Sequence, residues 1–286
     1  MEEIDFKNKK VLIVGFGLMG SAYAASFRNI GFETIYALDR NNEVLKKAES
    51  EKLIEKGYQN VSDILPSCDL VVVCLYLHDA LDFIKSNMNK FKPNSVITDI
   101  VGLKRKMVEG LDGILRDDVD FIPGHPMAGR EKNKEGFTSA KIFEGKNYIL
   151  TPTDKNKPEN LDMMRSLISK MGFGRLIETD PDTHDEKIAF TSQLCHIIAA
   201  SMVDISEDSK VTQFEGGSFQ DMTRIAMINS DMWAELFIAN KDKLVDTLDE
   251  FIESISYFRK CIEDENFDHI KSRFDFIGKK REEMGK

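Results

Sequence analysis

The sequence predicts a doubly wound parallel α/β fold that gives way, beyond about residue 180, to an all-helical segment. Three observations predict it. An apolar run, Val11-Leu12-Ile13-Val14, leads directly into a glycine triplet, Gly15-Phe16-Gly17-Leu18-Met19-Gly20. Apolar runs of strand length recur at Thr34–Leu38, Leu70–Leu77, Ser95–Ile100, Val119–Ile122, Tyr148–Thr151 and Arg175–Glu178, with helical stretches between several of them. From Asp180 onward strand signals vanish and helical spacing takes over.

The opening unit reads as strand, tight turn, helix and strand, with Ser21–Asn29 as the amphipathic helix. Gly15 permits the turn, Gly17 lets a pyrophosphate approach the backbone, and Gly20 lets helix and strand pack closely; the helix N-terminus over Phe16, Leu18 and Met19 offers unpaired N–H donors to phosphate. The second strand ends on Asp39, 19 residues after Gly20. A carboxylate there accepts hydrogen bonds from an adenosine ribose diol and repels a 2′-phosphate, so the expected cofactor is NAD, with NADP second. Arg40, its neighbour, is the residue that would receive a 2′-phosphate or stack on the adenine. The unit is therefore expected to be a Rossmann-type dinucleotide-binding domain, spanning 1–179.

Later elements follow the same logic. Leu70-Val71-Val72-Val73-Cys74-Leu75 is continuously apolar, as a central parallel strand covered on both faces must be. Thr153–Pro158 reads as a surface turn and Leu161–Met171 as a helix stopped by Gly172. Helical patterns then run over His184–Ile205, Phe219–Ile228, Met232–Ile262 and Phe267–Arg281. In the third, Leu236, Phe237, Leu244, Leu248, Phe251, Ile252, Ile255 and Phe258 form an apolar stripe longer than a small helical domain buries alone. A second copy of the chain is expected to cover it, making 180–286 a helical substrate and dimerisation domain and the protein a homodimer.

Composition narrows the function. A formal net charge of −10 opposes general affinity for nucleic acid. The one compact cationic run, Lys279-Lys280-Arg281, suits the last turn of a terminal helix. No apolar run approaches the roughly 18 residues of a membrane span, and the acidic start Met1-Glu2-Glu3 is unlike a signal peptide, so a cytoplasmic location is expected. Cys68, Cys74, Cys195 and Cys261 show no metal-ligand spacing and read as reduced thiols; with no His-Glu-x-x-His string either, no metal site is expected.

The chemistry concentrates in Gly124-His125-Pro126-Met127-Ala128-Gly129-Arg130-Glu131, just after the Val119–Ile122 strand. Ligands of doubly wound sheets bind beyond the carboxyl ends of strands, so this segment, read as a restricted loop, brings an imidazole near the nicotinamide end of a dinucleotide. Histidine is the side chain best suited to take a proton near neutrality. Downstream come His184-Asp185, then Phe190-Thr191-Ser192-Gln193-Leu194-Cys195-His196, then Gly216-Gly217-Ser218-Phe219-Gln220-Asp221-Met222-Thr223-Arg224-Ile225-Ala226, with Trp233 beyond. Together with the histidine segment these resemble the motifs of the prephenate and arogenate dehydrogenases, from the glycine turn through Ile252.

That resemblance implies an NAD-dependent oxidative decarboxylation of a cyclohexadienyl carboxylate, in tyrosine biosynthesis. By it His125 accepts the hydroxyl proton, Arg224 clamps a substrate carboxylate with its planar fork, His196 donates to the substrate, and Ser192 sits one helical turn before His196 on the same face. Trp233 serves as packing anchor or pocket wall, and His184 and Asp185 as an interdomain hydrogen-bonded pair. Two positions depart from the family's pattern: Gly102 stands in the substrate-contacting segment where a serine often assists the histidine, and Cys195 where proline is common. Glu131 bears on the substrate, since arogenate requires a partner for its ammonium and prephenate requires donors for a keto acid. The two donors His196 and Arg224 favour prephenate, with arogenate as the alternative. Any feedback by tyrosine is expected to act at the active site or between subunits. Two other readings compete: a hydroxyacid dehydrogenase, for which Lys187 is the nearest candidate lysine, and a sensor that binds NAD without turnover.

Overall fold

The structure, a computed structural model, describes residues 4–61, 64–129, 136–208 and 210–284. Its α/β part runs β1 (Lys10–Val14), α1 (Leu18–Ile30), β2 (Thr34–Leu38), α2 (Asn42–Ser50), β3 (Lys56–Tyr58), β4 (Leu70–Val73), α3 (Leu77–Asn87), β5 (Val96–Asp99), α4 (Arg105–Leu111) and β6 (Asp120–Phe121). The six strands form one parallel sheet in the order β3-β2-β1-β4-β5-β6, so the order reverses between β1 and β4. Alternation along the strands sends their side chains to two cores. Val11, Ile13, Ile35, Leu70 and Val72 pack with Phe27 of α1. On the opposite face Leu12, Val14, Val71, Val73 and Ile97 pack with Leu77 and Ile84 of α3 and Met107 and Leu111 of α4. Burial on both faces is why these strands read as unbroken apolar runs.

A second, three-stranded sheet follows: β7 (Gly124–Pro126) antiparallel to β8 (Asn147–Leu150), and β8 parallel to β9 (Arg175–Glu178) across α5 (Pro158–Lys170). His125 is therefore the middle residue of a strand, paired with Ile149, and not part of a loop as the sequence suggests. Three residues between two short connections carry no alternating pattern by which a strand is recognised.

The helical C-terminal domain holds α6 (Pro181–Ile188), a π-helical turn over Ala189–Gln193, α7 (Leu194–Asp204), α8 (Gly217–Thr223), a 3-10 turn over Arg224–Ala226, α9 (Ser230–Ala239), α10 (Lys241–Glu263) and α11 (Phe267–Met284). The single helix expected over Met232–Ile262 is broken at Asn240. That side chain is fully buried, and its amide donates to Asp185 O at 3.0 Å and to Gln193 Oε1 at 2.8 Å. The break is thus a polar junction that turns α10 onto α6 and the π turn, while the apolar spacing runs through it unchanged. Part of the stripe faces outward in the single chain: Ile252 and Ile255 are exposed, Leu248, Phe251 and Phe258 are half-buried, and α10 buries only Leu244 and Cys261.

Asp185 also joins the helical domain to the sheet. Its carboxylate accepts from the backbone N–H groups of Lys104 and Arg105 at 2.8 and 3.0 Å, capping an α4 N-terminus that has no side-chain cap of its own. Arg105 then reaches α10, donating both guanidinium arms to Asp242 at 2.7 and 2.6 Å.

Candidate active site

At the reversal between β1 and β4 the glycine turn has the shape a dinucleotide requires. Gly15 has φ +86°, and a Cβ there would lie 2.6 Å from Cys74 O. A Cβ on Gly20 would lie 2.0 Å from Gly15 O, so the helix approaches the turn as closely as backbone allows. Gly17 is exposed with open space above it, and as N-cap of α1 it leaves the first N–H groups without a side-chain partner. Phe16 is buried, while Leu18 and Met19 open the helix half-buried. Asp39 Oδ2 accepts from Phe16 N–H at 2.7 Å and Oδ1 from Asn41 N–H at 2.8 Å, tying the acid at the end of β2 to the turn. Arg40 is exposed beside it. These residues fit a bound dinucleotide: a bare helix N-terminus for the pyrophosphate and an aimed carboxylate for the ribose.

Next to this turn, β5 and β7 hold a buried polar cluster. Lys104, with no exposed surface, forms an ion pair with Asp99, and its Nζ donates to Gly124 O at 2.7 Å. Asp99 accepts in turn from Gly124 N–H at 3.2 Å and Val101 N–H at 3.0 Å. Both backbone groups of Gly124 are thus clamped. A side chain at Gly124 is excluded, since its Cβ would lie 2.3 Å from the Tyr148 hydroxyl. The strand that presents His125 is fixed from behind.

His125 Nδ1 lies 3.0 Å from His184 Nε2, and His184 Nδ1 lies 2.7 Å from Asp185 Oδ1. A carboxylate only accepts, so His184 carries its proton on Nδ1 and accepts at Nε2. His125 then donates from Nδ1 and keeps a bare Nε2, which takes no hydrogen bond among the described residues. Burial first, then His184 and the Lys104 ammonium, push the His125 imidazole well below its ordinary value. His184, itself buried, is also pushed down by burial, against the opposing pull of Asp185. The arrangement is an imidazole held neutral with one free lone pair, which suits proton removal.

On α7, His196 Nδ1 donates to Ser192 O at 2.9 Å, and the ring lies against Trp233 of α9, tilted by 32° with centroids 3.8 Å apart. Burial lowers this imidazole too, so the neutral ring offers an acceptor at Nε2, and it donates there only when protonated. Ser192 and Trp233 are half-buried. Arg224 begins the 3-10 turn that packs against α7. A Cβ at Gly102 would touch Leu236 of α9 at 3.4 Å, so the position has room for a small side chain. Glu131 lies outside the described residues. Lys187 is a surface residue paired with Glu186 at 2.7 Å. No motif in the sequence marks Lys104, Asp99, Gln193 or Asn240; a lysine two residues beyond Gly102, in a segment too apolar for a surface loop, is the one available signal. A groove of about 870 Å³ between α3, α4 and α9, lined by Tyr76, His78, Lys106 and Ile238 among others, holds none of these residues.

A nucleotide turn at the sheet reversal, a neutral histidine beside it and a docked helical domain define a two-domain, dinucleotide-dependent oxidoreductase. Comparison with known proteins gives the family. Residues 23–177 match the nucleotide-binding domain, and residues 180–276 the dimerization domain, of prephenate dehydrogenase, and the chain belongs to that family. It is 29% identical over 269 residues to the prephenate dehydrogenase of Bacillus subtilis, covering 91% of this chain and 72% of that one. It is 25% identical to the cyclohexadienyl dehydrogenase of Zymomonas mobilis, covering 93% and 92%. The crystal structure of prephenate dehydrogenase from A. aeolicus, in complex with hydroxyphenyl propionate and NAD+, superposes with a TM-score of 0.86 at 29% identity over 96% of this chain and 98% of that one. No helix of the described residues is long and apolar enough to cross a membrane.

Proposed function

We propose that this enzyme oxidatively decarboxylates prephenate to 4-hydroxyphenylpyruvate with NAD, in tyrosine biosynthesis. The observation that carries the chemistry is the bare Nε2 of a neutral His125 on a strand clamped by Asp99 and Lys104. His125 accepts the proton of the ring hydroxyl, and loss of carbon dioxide leaves an aromatic ring. The bound dinucleotide supplies the hydride acceptor. Arg224 holds a substrate carboxylate, for which its planar fork is matched. Ser192, His196 and Trp233 form the wall of the substrate pocket on the helical side, with Gly102 on the other, and Glu131, by its carboxylate, is the candidate partner for a substrate ammonium. Phe16 to Gly20 cradle the pyrophosphate, and Asp39 takes the ribose diol in preference to a 2′-phosphate, which makes NAD the cofactor over NADP. A nucleotide-binding domain over 1–179 and a helical domain over 180–286 divide these tasks. The exposed Ile252 and Ile255 meet a second copy in a homodimer, in keeping with the family's dimerization domain. The enzyme works in the cytoplasm.

A second reading rests on one observation. Because His196 spends its Nδ1–H on Ser192 O, the neutral ring presents an acceptor, which suits the ammonium of arogenate better than a keto acid. Steady-state assays of NADH formation with prephenate and arogenate, each with NAD and NADP, decide between them. Preferred turnover of prephenate with NAD is expected. Preference for arogenate selects the second reading, and binding of dinucleotide without turnover of either overturns both.

A further inference from the structure

We infer that His184 and Asp185 form a proton relay behind His125, in which the proton taken at His125 Nε2 is matched by transfer of the Nδ1 proton to His184 Nε2. The inference rests on the reading of His125 as the base. His125 and His184 come from different domains, one from β7 and the other from α6, and their nitrogens lie 3.0 Å apart. Polarity is set at the far end. Asp185 accepts three N–H groups, from His184, Lys104 and Arg105, and this orients all the hydrogen bonds back to His125 in one direction.

The step balances without any electron transfer. One O–H bond of the substrate breaks and an N–H bond forms at His125 Nε2; the His125 Nδ1–H bond breaks and an N–H bond forms at His184 Nε2. His125 ends neutral in its other tautomer, and His184 becomes an imidazolium against the Asp185 carboxylate. Charge placement favours that outcome. The groups facing the two rings are Lys104 and Asp99, paired with each other, and Asp185. Lys104 opposes a cation on either ring, while Asp185, hydrogen-bonded to His184 at 2.7 Å, stabilises one there and not on His125. The two domains must be docked for the relay to exist, because Asp185 is anchored by the α4 N-terminus of the other domain. His184 thus holds the proton and Asp185 positions it, neither touching substrate.

Two measurements test this. In the substrate-free protein, imidazole nitrogen NMR is expected to show His125 and His184 both protonated on Nδ1 near neutral pH; an Nε2–H tautomer at either ring overturns the relay. His184→Gln keeps an acceptor for His125 Nδ1–H but cannot take a proton. It is expected to lower kcat by about 10²-fold with KM changed by less than about threefold. The acid limb of kcat/KM and the NMR titration of His125 should both move to higher pH, because a titrating neighbour has been removed. A kcat within about threefold of wild type with an unmoved acid limb overturns the relay. Dinucleotide affinity reports whether the variant folds, and if it does not, the wild-type tautomers decide. Absence of wild-type turnover would count against the substrate reading alone, since tautomers and titration are read without substrate.

Discussion

Lys104 and Asp99 form an ion pair with no solvent exposure on either side chain, and together they hold both the N–H and the C=O of Gly124, the residue before His125. Burial pulls the Lys104 ammonium down, and the Asp99 carboxylate opposes that pull. Such a pair is costly to break from one side, because the remaining charge has neither water nor a counter-charge. Its return here is geometric: it fixes the strand on which His125 stands.

Lys104→Met is therefore expected to destabilise the fold by about 3–5 kcal/mol. Urea denaturation measures it, and a loss below about 1 kcal/mol would show that the pair is dispensable.

Asp39 sets a second expectation. Its carboxylate is oriented by Phe16 and Asn41 N–H groups, so Asp39→Asn keeps the shape and removes the charge. NAD affinity should fall about tenfold, near 1.4 kcal/mol, while NADP affinity holds or improves. Calorimetric titration with both dinucleotides checks it, and an unchanged ratio of the two would remove Asp39 from cofactor selection.

How much of this was legible in the residues varies with the physics behind each part. The glycine turn, Asp39 and the central strands are local signals: a turn that demands glycine, and a run buried on both faces, must show in the sequence. The polar junction at Asn240 did not, because the apolar spacing of α9 and α10 continues across it and one asparagine in a long helix looks like a surface residue. His125 was found as a residue, but its strand was too short to carry a pattern. The partnership of His184 with Asp185 was expected, whereas its extension to His125 depends on how the domains dock, which adjacent sequence does not encode. Lys104 was hidden for a related reason: a lysine reads as solvated until Asp99 and Gly124 are seen around it.

The imidazoles make stability depend on pH. His125, His184 and His196 are all held below the ordinary histidine value, burial being the first cause in each. The folded protein therefore binds fewer protons than the unfolded chain as pH falls below about 6.5, and the stabilisation present above that value is lost through the folded values. Melting temperature should decline steadily from about pH 7 to about pH 5. A flat profile over that window would contradict the depressed values.

The most direct test of the central claim is the kinetics of His125→Asn with prephenate and NAD. If the bare Nε2 of His125 takes the hydroxyl proton, kcat falls by about 10²- to 10⁴-fold while the KM for prephenate and the affinity for NAD stay within about threefold of wild type. A variant that keeps near-normal kcat would contradict the account, because the neutral, pre-oriented imidazole of His125 would then be doing no chemistry.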